Sequence, residues 1–250
     1  MKKILLPVIL TITVLSACKK TETFSTFPLS DYNLQTPGKY ITYRLDSLLF
    51  VDFGSRDTIV SYFAKDVVDA QVTDNLGRPA YRIFHYIRKT ENDPWQPDNT
   101  FLTVPTDFSI EFIENNLRYI KLQQPLKEGF SWKGNAYLDT YDANSATSGI
   151  TDWDLTYLDD WDYVYQDINQ PLSLGNTNLD STVTVVERDE FSNDSTIDII
   201  NDRNYFVEKY AKGIGLVYRN FYHREYQPSA NGNPGYNTGY GVALTMIDHN

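Results

Sequence analysis

Apolar and polar residues alternate at a period of two over long stretches of this 250-residue chain, and this pattern constrains its fold most. The odd positions of residues 41–53 form an almost unbroken apolar row, and residues 60–72 continue the pattern on even positions. The turn sequence Asp-Asn-Leu-Gly-Arg at 74–78 then leads into a third alternating run. Because successive strand residues point to opposite faces, these runs predict long antiparallel strands, with a β-hairpin over residues 57–90.

The composition favours strands along the rest of the chain as well. Aromatic residues make up 14% of the sequence, including 19 tyrosines, and these residue types are enriched in β-sheets. We find no internal repeat and no long helical pattern after residue 17. The sequence therefore predicts an all-β protein with one antiparallel sheet-rich domain, an open or partly closed barrel. Further strands are predicted at residues 101–104, 108–113, 117–123, 181–188, 194–200, 205–211 and 241–248.

The first 17 residues form a secretory signal. Lys2 and Lys3 precede an apolar run of about a dozen residues, which is too short for the roughly 20 residues of a membrane span. Small residues follow, and Cys18 is the only cysteine of the chain. The motif Leu-Ser-Ala-Cys at 15–18 resembles the lipobox of bacterial lipoproteins. That resemblance implies cleavage before Cys18, a diacylglycerol on its thiol and an acyl chain such as palmitate on its new amino terminus.

The residues around Cys18 also indicate where the protein is held. A multiply acylated cysteine anchors a protein stably, since each buried CH₂ contributes about 0.8 kcal/mol. Lys19 stands where an aspartate would signal retention at the inner membrane, so we expect an outer-membrane lipoprotein of the cell envelope. The Thr- and Pro-rich residues 18–38 are predicted to be a lipidated tether. Residues 39–250 are then the single β domain.

Three motifs together are similar to a family of uncharacterised Bacteroidota lipoproteins. They are the opening strand Lys-Tyr-Ile-Thr-Tyr-Arg-Leu-Asp-Ser at 39–47, the turn at 74–78, and Tyr-Ala-Lys-Gly-Ile-Gly-Leu-Val-Tyr-Arg at 210–219. The resemblance implies a plan like that of lipocalin-like or lipoprotein-carrier-like open barrels. A shared fold does not transfer a function, and the resemblance implies no site residue besides the lipidated Cys18.

Acidic residues concentrate in one segment of this acidic protein. The formal net charge of −11 argues against nucleic acid as a partner, because phosphate binding needs a concentrated basic surface. Residues 134–187 contain ten acids and no lysine or arginine. This segment could be a solvated face, a docking surface for a basic protein partner, or a calcium site, and no other cofactor is expected. The calcium candidates are Asp152, Asp154, Asp159, Asp160 and Asp162.

No catalytic motif stands out. His85 lies on the apolar side of its strand, where a hydrogen-bonded core histidine is expected rather than a metal ligand. We therefore predict a non-catalytic, membrane-anchored β domain that binds a small apolar or sugar ligand. A structural envelope component that docks a protein partner is the first alternative. A glycan-cleaving enzyme is the second, and it would need two acids of the 134–187 segment facing each other across a cleft.

Overall fold

The computed structural model describes residues 28–138, 161–192, 200–230 and 232–250. These residues form one short 3₁₀ helix (Leu29–Tyr32) and twelve strands, and none of their helices is long and apolar enough to cross a membrane. The strands are β1 (Tyr40–Val51), β2 (Arg56–Thr73), β3 (Pro79–Arg88), β4 (Gln96–Pro105), β5 (Ser109–Glu114), β6 (Leu117–Gln123), β7 (Ser131–Lys133), β8 (Asp162–Leu174), β9 (Thr177–Ser192), β10 (Asn201–Ala211), β11 (Gly215–Gln227) and β12 (Tyr236–His249).

All twelve strands join one antiparallel sheet in the order β6-β5-β4-β3-β2-β1-β12-β11-β10-β9-β8-β7. Each strand therefore pairs with its neighbours in the chain, and the pairing of β1 with β12 joins the two halves. The sheet curls until its edge strands, β6 and β7, approach each other. The predicted all-β fold is confirmed, and its form is a nearly closed barrel.

One backbone hydrogen bond and two side chains complete the closure between β6 and β7. The Ile120 N–H donates to the Gly134 carbonyl at 2.7 Å, and Trp132 Nε1 donates to the Ile120 carbonyl at 2.8 Å. Further along, the Tyr165 hydroxyl accepts from the Gln123 N–H at 2.7 Å and donates to the Gln123 carbonyl at 2.8 Å. An unpaired strand edge exposes backbone donors and acceptors. Here Trp132 and Tyr165 replace part of the missing ladder.

The N-terminal segment closes one end of the barrel. Leu29 and Tyr32 are buried in the core, and the Tyr32 hydroxyl donates to Asn169 Oδ1 at 3.0 Å. The Asp31 carbonyl accepts a hydrogen bond from the Gly213 N–H at 2.6 Å. The structure thus differs from the predicted tether over residues 28–38, which belong to the folded domain. The cause is the pair Leu29 and Tyr32, whose apolar surfaces face the barrel interior.

The hairpin predicted at 57–90 is confirmed, because β2 and β3 pair across the 74–78 turn. Asp74 fixes that turn by accepting from the backbone N–H groups of Leu76 and Arg78 at 2.9 and 2.8 Å. Strand β8 was not predicted, since it lies in the acidic segment. Most of the strand predicted at 194–200 lies outside the described residues.

The apolar row of β1 changes its environment along the strand. Ile41 and Tyr43 are buried inside the barrel, whereas Phe53 is 100% exposed. Beyond Leu48, the ladder between β1 and β12 ends, and the tip of the β1–β2 hairpin contacts β12 again where the Asn237 N–H donates to the Gly54 carbonyl at 2.8 Å. The period-two pattern was correct for the strand, but it did not show where the barrel ends.

Candidate functional site

A cavity of about 190 Å³ lies inside the barrel. Residues 32–34 form its floor, and apolar side chains of β1, β3, β4, β5 and β12 form one wall. Below and beside it, a core that includes Leu122, Tyr165, Val183 and Val185 fills the remaining interior. The barrel is therefore packed at the end that carries the 3₁₀ helix and partly open in the middle.

Three β-bulges carry charged residues at the level of this cavity. The pairing of β4 with β3 skips Asp98, that of β6 with β5 skips Lys121, and that of β9 with β10 skips Glu187. A bulge bends its strand and redirects side chains, and bulges often occur beside functional sites. Asp98 and Lys121 line the cavity, and Glu187 is buried directly behind Lys121.

Four charged side chains form what we call the interior quartet: Lys121, Glu187, Glu208 and Arg219. Lys121 Nζ lies 2.6 Å from Glu187 Oε1 and 3.4 Å from Glu208 Oε2. Arg219 donates Nε and Nη2 to Glu208 Oε1 at 2.7 and 2.6 Å. The Tyr210 hydroxyl adds a 2.5 Å hydrogen bond to Glu208 Oε2. Two buried cations and two buried carboxylates thus neutralise one another.

The two glutamates of the quartet have opposite pKa shifts. Burial raises the pKa of Glu187 to about 7, and Lys121 offsets this effect only in part. Burial also acts on Glu208, but the charges of Lys121 and Arg219 and the hydrogen bond from Tyr210 outweigh it and lower its pKa to about 2. Glu208 is therefore the fixed anion of the quartet, and Glu187 is the carboxyl that takes up a proton near neutral pH.

A second polar group lines the same cavity. His85 Nδ1 is 2.5 Å from Asp66 Oδ1, and His85 Nε2 is 3.8 Å from Asp98 Oδ2. Burial lowers the pKa of His85, but the hydrogen bond and charge of Asp66 outweigh burial and leave that pKa raised. The expected hydrogen-bonded core histidine is thus present, and His85 also lines the cavity.

The geometry suits binding better than glycan cleavage. A glycosidase places its two carboxyl groups on either side of the scissile bond. Here the Lys121 ammonium contacts both Glu187 and Glu208, and neither glutamate lines the cavity. The cavity surface presents Lys121, Arg219, the Tyr210 and His85 side chains, the carboxylates of Asp66, Asp98 and Glu114, and apolar walls.

One of the five calcium candidates, Asp162, lies in the described residues. Asp162 is exposed and forms an ion pair with Lys133 at 3.3 Å. In the described ranges no group of three or more His, Cys, Asp or Glu residues could hold a metal ion. The other four calcium candidates lie outside the described residues, and so does Cys18. These four are Asp152, Asp154, Asp159 and Asp160.

Sequence reasoning missed Lys121, Glu208 and Arg219, although signals for them existed. Glu208 stands between Phe206 and Tyr210 in the apolar row of β10, and Glu187 continues the buried row of Val183 and Val185. A charged residue within an apolar row of a predicted strand indicates a buried polar site. The acidic segment 134–187 is therefore not one surface, because Glu187 faces the interior.

The comparisons with known proteins do not assign a function. No family model and no curated protein matches this chain. Among solved structures, a protein of Bacteroides fragilis NCTC 9343, described as a candidate exported protein with a YmcC-like fold, is 10% identical. The match covers 89% of this chain and 99% of that chain, with a TM-score of 0.39. A similarity of this degree supports no conclusion about function.

Proposed function

We propose that this protein is an outer-membrane lipoprotein whose barrel binds a small ligand without catalysing a reaction. The observation that supports ligand binding is the interior cavity, which combines apolar walls with Lys121, Arg219 and His85. Ligand sites are typically apolar cavities with a few convergent polar groups. The anchor rests on the lipobox at 15–18 and on Lys19.

The size of the cavity limits the ligand. A cavity of about 150 Å³ holds one benzene molecule, and sites for drug-sized ligands begin at about 300 Å³. The volume of about 190 Å³ therefore accommodates a molecule with one ring. A sugar monomer or a compact apolar molecule fits this volume, whereas a lipid with two acyl chains does not.

Filling the cavity tests the binding role. Val242 lines the cavity, and the next residue of β12, Ala243, points to the other face of the sheet. Val242→Phe should abolish the binding of ring-sized ligands in an NMR or calorimetric screen of apolar compounds and monosaccharides. Ala243→Phe is the matched control and should preserve it. Binding that survives in a folded Val242→Phe protein would exclude the cavity as the site.

Membrane fractionation tests the anchor. Cys18→Ala should move the protein from the membrane fraction to the soluble fraction, because the acylated thiol is lost. Lys19→Asp keeps the cysteine, and it should shift the protein from the outer to the inner membrane on a density gradient. A Cys18→Ala protein that stays with membranes would contradict the proposed attachment.

A further inference from the structure

The charges around the cavity do not balance. In the described residues, five carboxylates line the cavity or bind its lining residues, and three cationic groups face them when His85 is protonated. The carboxylates are Asp66, Asp98, Glu114, Glu187 and Glu208, and the cations are His85, Lys121 and Arg219. The interior quartet is neutral when all its members are charged. The negative excess therefore lies among Asp66, Asp98 and Glu114.

Two of these three carboxylates can reach a ligand. Glu114, the last residue of β5, lines the cavity and forms no ion pair or hydrogen bond within the described part of the chain. Asp98 lies 3.8 Å from the His85 ring, and 52% of its side chain is exposed. Both residues are at the end of the barrel away from the 3₁₀ helix, so they mark the mouth of the cavity. Asp66 is instead engaged at 2.5 Å by His85.

Aromatic rings line the space next to these carboxylates. Tyr43, Phe101 and Phe112 face the cavity, and the Phe101 and Phe112 ring centroids are 5.2 Å apart. The face of an aromatic ring attracts a cation, and more strongly when water is excluded. Carboxylates at the mouth and rings inside are the groups that recognise an organic ammonium ion.

We propose that the ligand of this cavity is a compact primary amine with an apolar ring or short chain. Its ammonium group binds between Glu114 and Asp98, and its apolar part lies against Phe101 and Phe112. This inference rests on the proposed binding function and names its ligand class.

The two cations of the quartet do not provide an equivalent anion site. Arg219 uses Nε and Nη2 on Glu208, and Lys121 contacts both Glu187 and Glu208. An anion entering the cavity would meet cations that are already neutralised and would pass Asp98 and Glu114 at the mouth. An amine meets two carboxylates, of which Glu114 forms no direct ion pair in the described residues, although its charge acts on Arg219 and His85.

Three ring-sized probes test whether the cavity prefers a cationic, a neutral or an anionic ligand. They are benzylamine, benzyl alcohol and benzoate. They are nearly equal in size and carry a positive, zero and negative charge at about pH 7.5. In calorimetric titrations of the full protein, benzylamine should bind at least about tenfold more tightly than benzyl alcohol, and benzoate should bind most weakly. Glu114→Gln should reduce the benzylamine affinity by about tenfold and leave that of benzyl alcohol unchanged.

Glu91→Gln is the control for a general loss of negative charge, because Glu91 is an exposed residue of the loop between β3 and β4. Glu91→Gln should leave the affinities for all three probes within about twofold of the wild-type values. If benzyl alcohol or benzoate binds as tightly as benzylamine, and Val242→Phe abolishes that binding, the amine assignment is wrong and the binding function stands. If none of the three binds, the amine assignment also fails, and the wider ligand screen decides the binding function separately.

Discussion

Substitution of Glu187 by glutamine tests how the interior quartet responds to pH. In the folded protein the pKa of Glu187 is about 7, compared with 4.5 for an ordinary glutamate. Between these two values the folded state retains a proton that the unfolded chain has released. The contribution of Glu187 to stability is therefore complete below about pH 4.5 and is lost as the pH rises through 7. Glutamine resembles the protonated glutamate and does not titrate.

The size of the effect follows from the two pKa values. Linkage between proton binding and folding gives a loss of about 2–3 kcal/mol in wild-type stability from pH 5 to pH 8 through Glu187 alone. Glu187→Gln should remove this loss. The difference in unfolding free energy between variant and wild type should thus move by about 2–3 kcal/mol in favour of the variant over this range. The variant should gain stability relative to wild type even though the substitution removes the 2.6 Å ion pair between Glu187 and Lys121.

Glu208→Gln is the matched control, because Glu208 belongs to the same quartet but has its pKa lowered to about 2. Its stabilising contribution is present above the unfolded pKa and is lost as the pH falls towards 2. Glu208→Gln should therefore destabilise the protein by about 3 kcal/mol at pH 5, where Glu187→Gln should have little effect. Urea unfolding at each pH, followed by the fluorescence of the buried Trp132, measures both variants. If Glu187→Gln loses stability relative to wild type as the pH rises from 5 to 8, the reasoning is refuted.

Two further predictions concern the barrel wall. Tyr165→Phe removes both hydrogen bonds to Gln123 at the β6–β7 closure and should cost about 1–3 kcal/mol in urea unfolding, with faster hydrogen exchange at the Gln123 amide; unchanged exchange would contradict the role of this hydroxyl. Gly54→Ala should lower the melting temperature clearly more than Gly77→Ala. Both glycines have positive φ, at 76° and 77°, but a Cβ at Gly54 would lie 2.1 Å from a β12 carbonyl, whereas Gly77 has open space around it. Equal shifts would show that this contact is not rigid.

The strands could be predicted from the sequence because each depends on a local pattern. The turn at Asp74 and the alternation in β1, β2 and β3 act within one or two strands, so a period-two analysis finds them. The order of the strands follows from the same information, since consecutive antiparallel strands joined by short turns pair with each other. His85 was placed correctly on the interior face for this reason. The position of the 3₁₀ helix was not predicted, because it depends on contacts with distant strands.

The charged residues around the cavity could not be predicted as one site, because they come from eight different strands. Lys121 and Glu187 are 66 positions apart in the chain, and their contact exists only because the barrel curls β6 towards β9. Charge patterning gave a misleading result here: the acidic segment contained Glu187, which is buried. No local feature distinguishes an acid that faces solvent from one that faces a lysine across a barrel.

The interior quartet is difficult to explain as a stabilising device. Buried ion pairs lose most of their attraction to desolvation, and apolar side chains of similar volume are often equally stable or better. Each bulge at Asp98, Lys121 and Glu187 also interrupts a strand ladder. Sequences usually break such rules where function requires it. A barrel that needed only to fold could fill this space with leucine and valine, as it does around Val183. The charged residues and the cavity they border therefore support the proposed ligand binding rather than a role in folding alone.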